Sequence, residues 1–197
     1  MTRIPRMPPE SLDEEQRRLY DLIADGPRAA GPQLFELVGA DRALNGPFNA
    51  MLLAPSVGVA LQGLGSSIRH ATGLSGRTRE TAILAVAAHH DSAFERYAHE
   101  PVGKVAGLTE SELALLRRGE DPEFDDVGER AAFRLVRALL SGSALDENTF
   151  ATIRSEIGDR ALFELSTLVG YYSLLAQQLR LFEVGVPRAG TDGSRSS

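Results

Sequence analysis

Residues 74–108, LSGRTRETAILAVAAHHDSAFERYAHEPVGKVAGL, decide how this chain is read. Thr81-Ala82-Ile83-Leu84-Ala85-Val86-Ala87-Ala88 is apolar in every direction of a helical wheel. A helix without a polar face belongs in the centre of a core or under a partner subunit. Asp91-Ser92 then breaks the pattern and offers a new N-cap. From Ala93 a second helix is predicted to Val105. On it Ser92, Glu95 and His99 fall at i, i+3 and i+7, one face of a helix. A hydroxyl, a carboxylate and an imidazole on one face are the material of an acid–base site. Glu80 stands twelve residues before Ser92, at the polar head of the apolar stretch.

Further helices are predicted on either side. Ser11 and Glu14 read as a capping box that opens a first helix reaching Gly26. Residues 26–47 are broken by Gly and Pro, with one apolar piece, Leu34 to Val38, that fits either helix or extended chain. Residues 48–54 look helical, and Pro55 suits the first turn of a helix running to His70. Thr109 and Glu112 form another capping box, with the helix ending near Gly119. The acidic stretch 120–126 reads as a loop. Residues 129–140, 147–157 and 160–184 read as three more helices, the last apolar on one side. Pro101 should end or kink the helix that carries His99. No strand and no internal repeat is expected, so the fold class is all-α: a single-domain helical bundle over residues 1–186 with a disordered tail at 187–197.

Composition removes several kinds of function. The chain has 197 residues, 43% hydrophobic and 24% charged, as ordinary for a globular domain. Its net charge of −6 and pI near 5.3 give no basic stripe for nucleic acid. No run is long enough to span a membrane and the N-terminus lacks an apolar leader, so a cytoplasmic location is expected. Zero Cys means no disulfide, no thiolate nucleophile and no thiolate metal site. Lys104 is the only lysine, and any Schiff base would have to use it.

Each candidate residue also has a plainer meaning. Glu80 would carry a raised pKa if buried, or would be an exposed first-turn carboxylate favoured by the helix dipole. Glu95 and His99 are spaced to hydrogen-bond directly, which would fix the imidazole tautomer, yet such pairs are also common on surfaces. Ser92 could be only an N-cap, and His70 a C-terminal cap. Tyr171 and Tyr172 fit the core, unless one lines a pocket as a hydrogen-bond donor. His89 and His90, adjacent on a helix, point about 100° apart and do not share a metal easily. Neither HExxH nor a Glu-x-x-His pair is present, so no metal and no cofactor is expected.

The segment 74–108 resembles the conserved block of the carboxymuconolactone decarboxylase family, which shares its fold with alkyl hydroperoxidase D. NGPFNAMLLAP upstream and LSTLVGYYSLLAQQL downstream are similar to the longer branch of that family, so the resemblance covers about residues 45–182. In the hydroperoxidase branch a Glu, a Cys-x-x-Cys and a His four residues later recur. Glu80 and His99 match the Glu and His, while Ser92 and Glu95 take the cysteine positions. The resemblance therefore implies a cysteine-free member, an acid–base enzyme and not a thiol peroxidase. With Glu80 and His99 matched in this way, Glu80, Glu95 and His99 are expected to be catalytic; Arg69 or Arg79, chosen for proximity in sequence, would hold a substrate carboxylate or lactone carbonyl, with Ser92 and Tyr171 beside them. It also implies homo-oligomers (dimer, trimer or hexamer) with pockets bounded by more than one subunit. The expected activity is decarboxylation or isomerisation of a small cyclic or lactone-type acid. The competing reading is a non-catalytic oligomer that binds a small ligand on the same scaffold.

Overall fold

A computed structural model describes residues 2–26 and 34–187, and among these the fold is all-helical. Eight helices follow in order: α1 Glu14–Ala24, α2 Pro47–Met51, α3 Pro55–His70, α4 Gly76–His89, α5 Ala93–Val105, α6 Glu110–Arg117, α7 Val127–Ser141 and α8 Glu147–Leu181. Residues 187–197 were read as a tail; all but Pro187 lie outside the described residues.

Helix α4 is the axis of the bundle, packed against α5, α6, α7 and α8. Its residues 80–87 are all buried, and the surrounding helices of the same chain bury them. A partner subunit is therefore not needed to cover the apolar helix. Arg77 fixes the start of α4 by reaching Glu112 on α6 and Glu129 on α7, with its guanidinium over the Phe124 ring.

Local chemistry sets most boundaries. The Thr109–Glu112 capping box opens α6 as read. At α1 the box is Asp13–Gln16, because Ser11 belongs to a preceding 3-10 turn, Pro9–Ser11, and bonds back to Pro8. The helix after Gly46 stops at Met51, three residues short of the reading. The apolar piece near Leu34 forms no helix; Val38 pairs with Leu44 in an isolated antiparallel bridge. Pro101 lies inside α5, which runs on to Val105. Proline removes one backbone donor, and packing against α4 and α6 holds the helix together across the gap. The two helices read at 147–157 and 160–184 are one element with a break, since Gly158 has φ 77° and ψ 165°. Only glycine takes that conformation without strain.

Candidate functional site

The antiparallel pairing of α4 and α5, joined by the tight turn at residues 90–92, sets the site. Ser75 caps α4 by accepting from the Thr78 N–H, and Glu80 follows on a helix that is buried all round. Across the pair, His99 Nδ1 lies 2.7 Å from Glu80 Oε2. A carboxylate can only accept, so Nδ1 carries the proton and Nε2 is left at the opposite edge of the ring. Glu80 is 1% exposed. Burial alone would raise its pKa, but the charge and hydrogen bond of His99, with Arg79 and Arg69 nearby, hold it below the ordinary carboxylate range. Arg79 is 3.4 Å from Glu80 and also donates to the Arg69 carbonyl.

This geometry corrects the pairing drawn from sequence spacing. Glu95 does not hold His99; Glu80 does. Nor is Glu80 an exposed first-turn carboxylate. Both Glu95 oxygens are buried without a hydrogen-bond partner, and so is the Ser92 hydroxyl. Burial pushes the Glu95 carboxyl up to about 8; the Ser92 hydroxyl is the one polar group close enough to pull the other way, and its geometry falls short of a hydrogen bond. At neutral pH Glu95 is thus mostly a neutral acid. Ser92 occupies the N-cap position of α5 but its side chain makes no capping bond.

A small cavity opens on these groups. Glu95 and His99 share its wall with Arg69, Phe35, Phe48, Phe94, Tyr171 and Tyr172. Its volume is about 30 Å³, space for one or two water molecules. The Tyr172 ring stands edge-on to His99, centroids 5.2 Å apart, and Phe35 stands edge-on to Phe94 at 6.4 Å. Gly46, with φ 61°, lets the chain turn tightly over Phe94; a Cβ there would fall 2.2 Å from Phe94 Cζ. Larger surface grooves, of about 680 and 860 Å³, contain none of the candidate residues.

Of the residues singled out in the sequence, Glu95, His99, Arg69, Tyr171 and Tyr172 reach the cavity wall. Glu80 stands directly behind His99. Arg79 and Ser92 lie behind the wall and do not line it. The aromatic residues Phe35, Phe48 and Phe94 were missed. Their signal in the sequence is weak: three phenylalanines from separate segments, one of them in the stretch broken by Gly and Pro. Among the described residues no group of three His, Cys, Asp or Glu is placed to hold a metal ion.

No family model and no curated relative matches the chain. Solved structures do match it. A protein from Ralstonia eutropha, an uncharacterised peroxidase-related protein with an alkylhydroperoxidase AhpD core, superposes with a TM-score of 0.73 at 14% identity, covering 94% of this chain and 92% of that one. This chain has the AhpD-like fold. ATU0492 of Agrobacterium tumefaciens, a protein of unknown function associated with AhpD antioxidant defence, gives 0.63 at 20% identity over 72% of this chain and 97% of its own. The debrominase Bmp8, in a Cys-to-Ala form bound to 2,3,4-tribromopyrrole, gives 0.64 at 13% identity over 95% and 94%. At these identities the likeness is one of fold. Within this AhpD-like chain no sulfur nucleophile exists, because it contains no Cys, and the groups gathered at the cavity carry protons.

Proposed function

We propose that this protein is a cofactor-independent acid–base enzyme acting on a small cyclic or lactone-type carboxylic acid, by decarboxylation or a related isomerisation. One observation supports the reading above the others. A buried Glu80–His99 pair backs the same cavity wall that carries Glu95 as an unpaired, neutral carboxyl. The two carboxyls are thereby given opposite states at neutral pH, the pattern that separates base from acid.

Loss of CO2 sends the electron pair of the broken C–C bond into the ring as an enolate, and a proton must return to carbon. The cavity as it stands holds only one or two waters, so a substrate enters by displacing its aromatic wall, and the Arg69 guanidinium on that wall then pairs with the substrate carboxylate. Glu95, as a neutral acid, donates a hydrogen bond to the developing enolate oxygen. His99 takes a proton from water on Nε2, becoming an imidazolium that Glu80 stabilises by accepting from Nδ1, and passes that Nε2 proton to carbon, returning to the neutral ring. For isomerisation the same His99 removes a proton from one carbon and returns it to another through the same enolate. No redox partner is required by either route. The family resemblance adds a homo-oligomeric assembly to this reading.

Proton NMR in D2O with 4-carboxymuconolactone tests the proposal. Loss of the lactone with deuterium at the carbon that gave up CO2 supports decarboxylation. An unchanged spectrum at high enzyme concentration rejects that reaction. The aromatic lining of the cavity favours one second reading, a binding protein for a small apolar ligand that enters by displacing part of that lining. In that case His99→Ala and Glu95→Gln alter ligand affinity and no turnover is found with cyclic acids.

A further inference from the structure

The groove of about 860 Å³ comes within one side chain of the cavity. Gly46 and Val184 both line it. Gly46 is the residue whose missing side chain leaves room for the Phe94 ring, and Val184 packs against the cluster of Phe94, Ala98 and Leu179. Phe94 and Ala98 in turn line the cavity beside Glu95 and His99. A single buried ring therefore separates groove from cavity. Residues 2–7 cross the groove and hold both of its walls. On one wall the Arg3 N–H donates to the Phe182 carbonyl at 2.8 Å, and its guanidinium reaches the Leu181 carbonyl and Glu183. On the other, Arg6 grips Asp41 with two bonds of 2.8 and 2.7 Å and donates to the carbonyls of Ala43 and Leu44 and to Asn45 Oδ1. The buried Asn49 side chain accepts from the Met7 N–H and donates to the Pro5 carbonyl. Terminal segments fray unless tied down in this way.

We propose that this arm is a latch on the entrance to the cavity: a small ligand reaches Glu95 and His99 from the groove, past Phe35 and Phe94, when Arg6 releases the turn at 41–45. The wall that Arg6 grips is the part of the surroundings able to move. Among the described residues lining the cavity, only Phe35 stands outside a helix. The segment that follows it has no regular structure beyond the Val38–Leu44 bridge, and Arg42 and Gly46 bend it at φ 63° and 61°. Segments of that kind open at a smaller free energy than packed helices. The latch is also weaker than the anchor. The Arg6 and Asp41 side chains are 36% and 47% exposed, so water and salt screen their attraction. Asn49 is buried, and its two bonds to the arm backbone keep the arm attached while Arg6 is released. The inference requires only that the cavity be reached from outside and does not depend on the chemistry proposed within it.

Thiol modification of the full chain is the test, since the protein has no Cys and any introduced one is its sole thiol. Ala98→Cys places that thiol on the cavity wall. Val136→Cys places it in the core between α4 and α7, away from the cavity, as a monitor of global opening. The rate at which methyl methanethiosulfonate modifies each protein, followed by intact mass, reports how readily each site is reached. Adding Arg6→Gln should speed modification at Ala98→Cys roughly tenfold or more, by removing charge-assisted bonds, and leave the rate at Val136→Cys unchanged. Gly185→Trp fills the groove at a position where a Cβ has nothing within 4 Å, and should slow modification at Ala98→Cys. Equal acceleration at both thiols means that Arg6 acts only through global stability and overturns the latch. An unchanged rate at Ala98→Cys with Arg6→Gln overturns it as well. A rate that Gly185→Trp does not slow places the entrance elsewhere, with the same consequence.

Discussion

Replacing Glu95 by Gln removes the one carboxyl that the fold buries without a partner, and the effect on stability can be worked out. A rise from 4.5 to about 8 amounts to about 5 kcal/mol of preference for the neutral acid. The folded-state pKa lies above the unfolded one, so this stabilisation is complete below the unfolded value and disappears as pH rises through the folded value. At pH 7 about 3 kcal/mol of it is already gone. The Gln variant stays neutral throughout and carries only a constant offset for its own buried amide. Other titrating groups cancel when the two proteins are compared. Urea unfolding followed by circular dichroism, from pH 4 to pH 9, should therefore show the stability difference moving in favour of Glu95→Gln by about 5 kcal/mol across the range. Parallel curves for the two proteins would falsify the claim that Glu95 is held neutral by burial.

Four other outcomes are expected. Glu80→Gln should lower turnover about 10²-fold by exchanging the charged acceptor of His99 for a neutral amide oxygen that no longer stabilises the imidazolium; because the folded pKa of Glu80 is depressed, wild type loses that stabilisation as pH falls below the unfolded value, and the variant's acid-unfolding curve should lack this loss. Arg69→Met should raise KM for a carboxylate substrate by at least about tenfold with a smaller change in kcat, and an unaltered KM would place the anion elsewhere. Gly46→Ala should cost on the order of 3 kcal/mol in denaturant unfolding, since it combines a positive φ with a collision at Phe94. Phe35→Ala should widen the cavity, speeding the entry of benzoate as seen in NMR line shapes while costing about 1–2 kcal/mol for a half-buried ring; slower entry would mean that Phe35 does not obstruct the cavity.

The helices were readable because each carries its own local marks. Thr109 with Glu112, the continuous apolar run at 81–88 and the Gly at 158 act within a few residues of themselves, so periodicity and capping find them. The AhpD-like fold was recognisable for the same reason, through the block at 74–108. What spacing did not supply was the partner of His99. Glu95 four residues away was the carboxylate on the same helical face, whereas Glu80 becomes the partner in space only when α4 and α5 fold back on each other. Nothing local in residues 80 and 99 encodes that register; it follows from which faces of two helices are buried together. The phenylalanines of the cavity wall were hidden for a related reason, as Phe35, Phe48 and Phe94 come from three segments whose convergence is purely tertiary. Pro101 shows the converse, a strong local signal that neighbouring helices override.

The break at Gly158 divides a 35-residue helix into parts that need not open together. Before it, Ile153 is the only buried side chain; beyond it seven are buried, from Leu165 to Leu179. The first segment, with little to lose, should exchange its amides early and fray on warming, and the backbone discontinuity stops that fraying from propagating along the hydrogen-bond ladder. Tyr171 and Tyr172 sit on the far side. A partly opened molecule would then keep its cavity walls, so loss of the cavity on heating should lag behind the first loss of helicity.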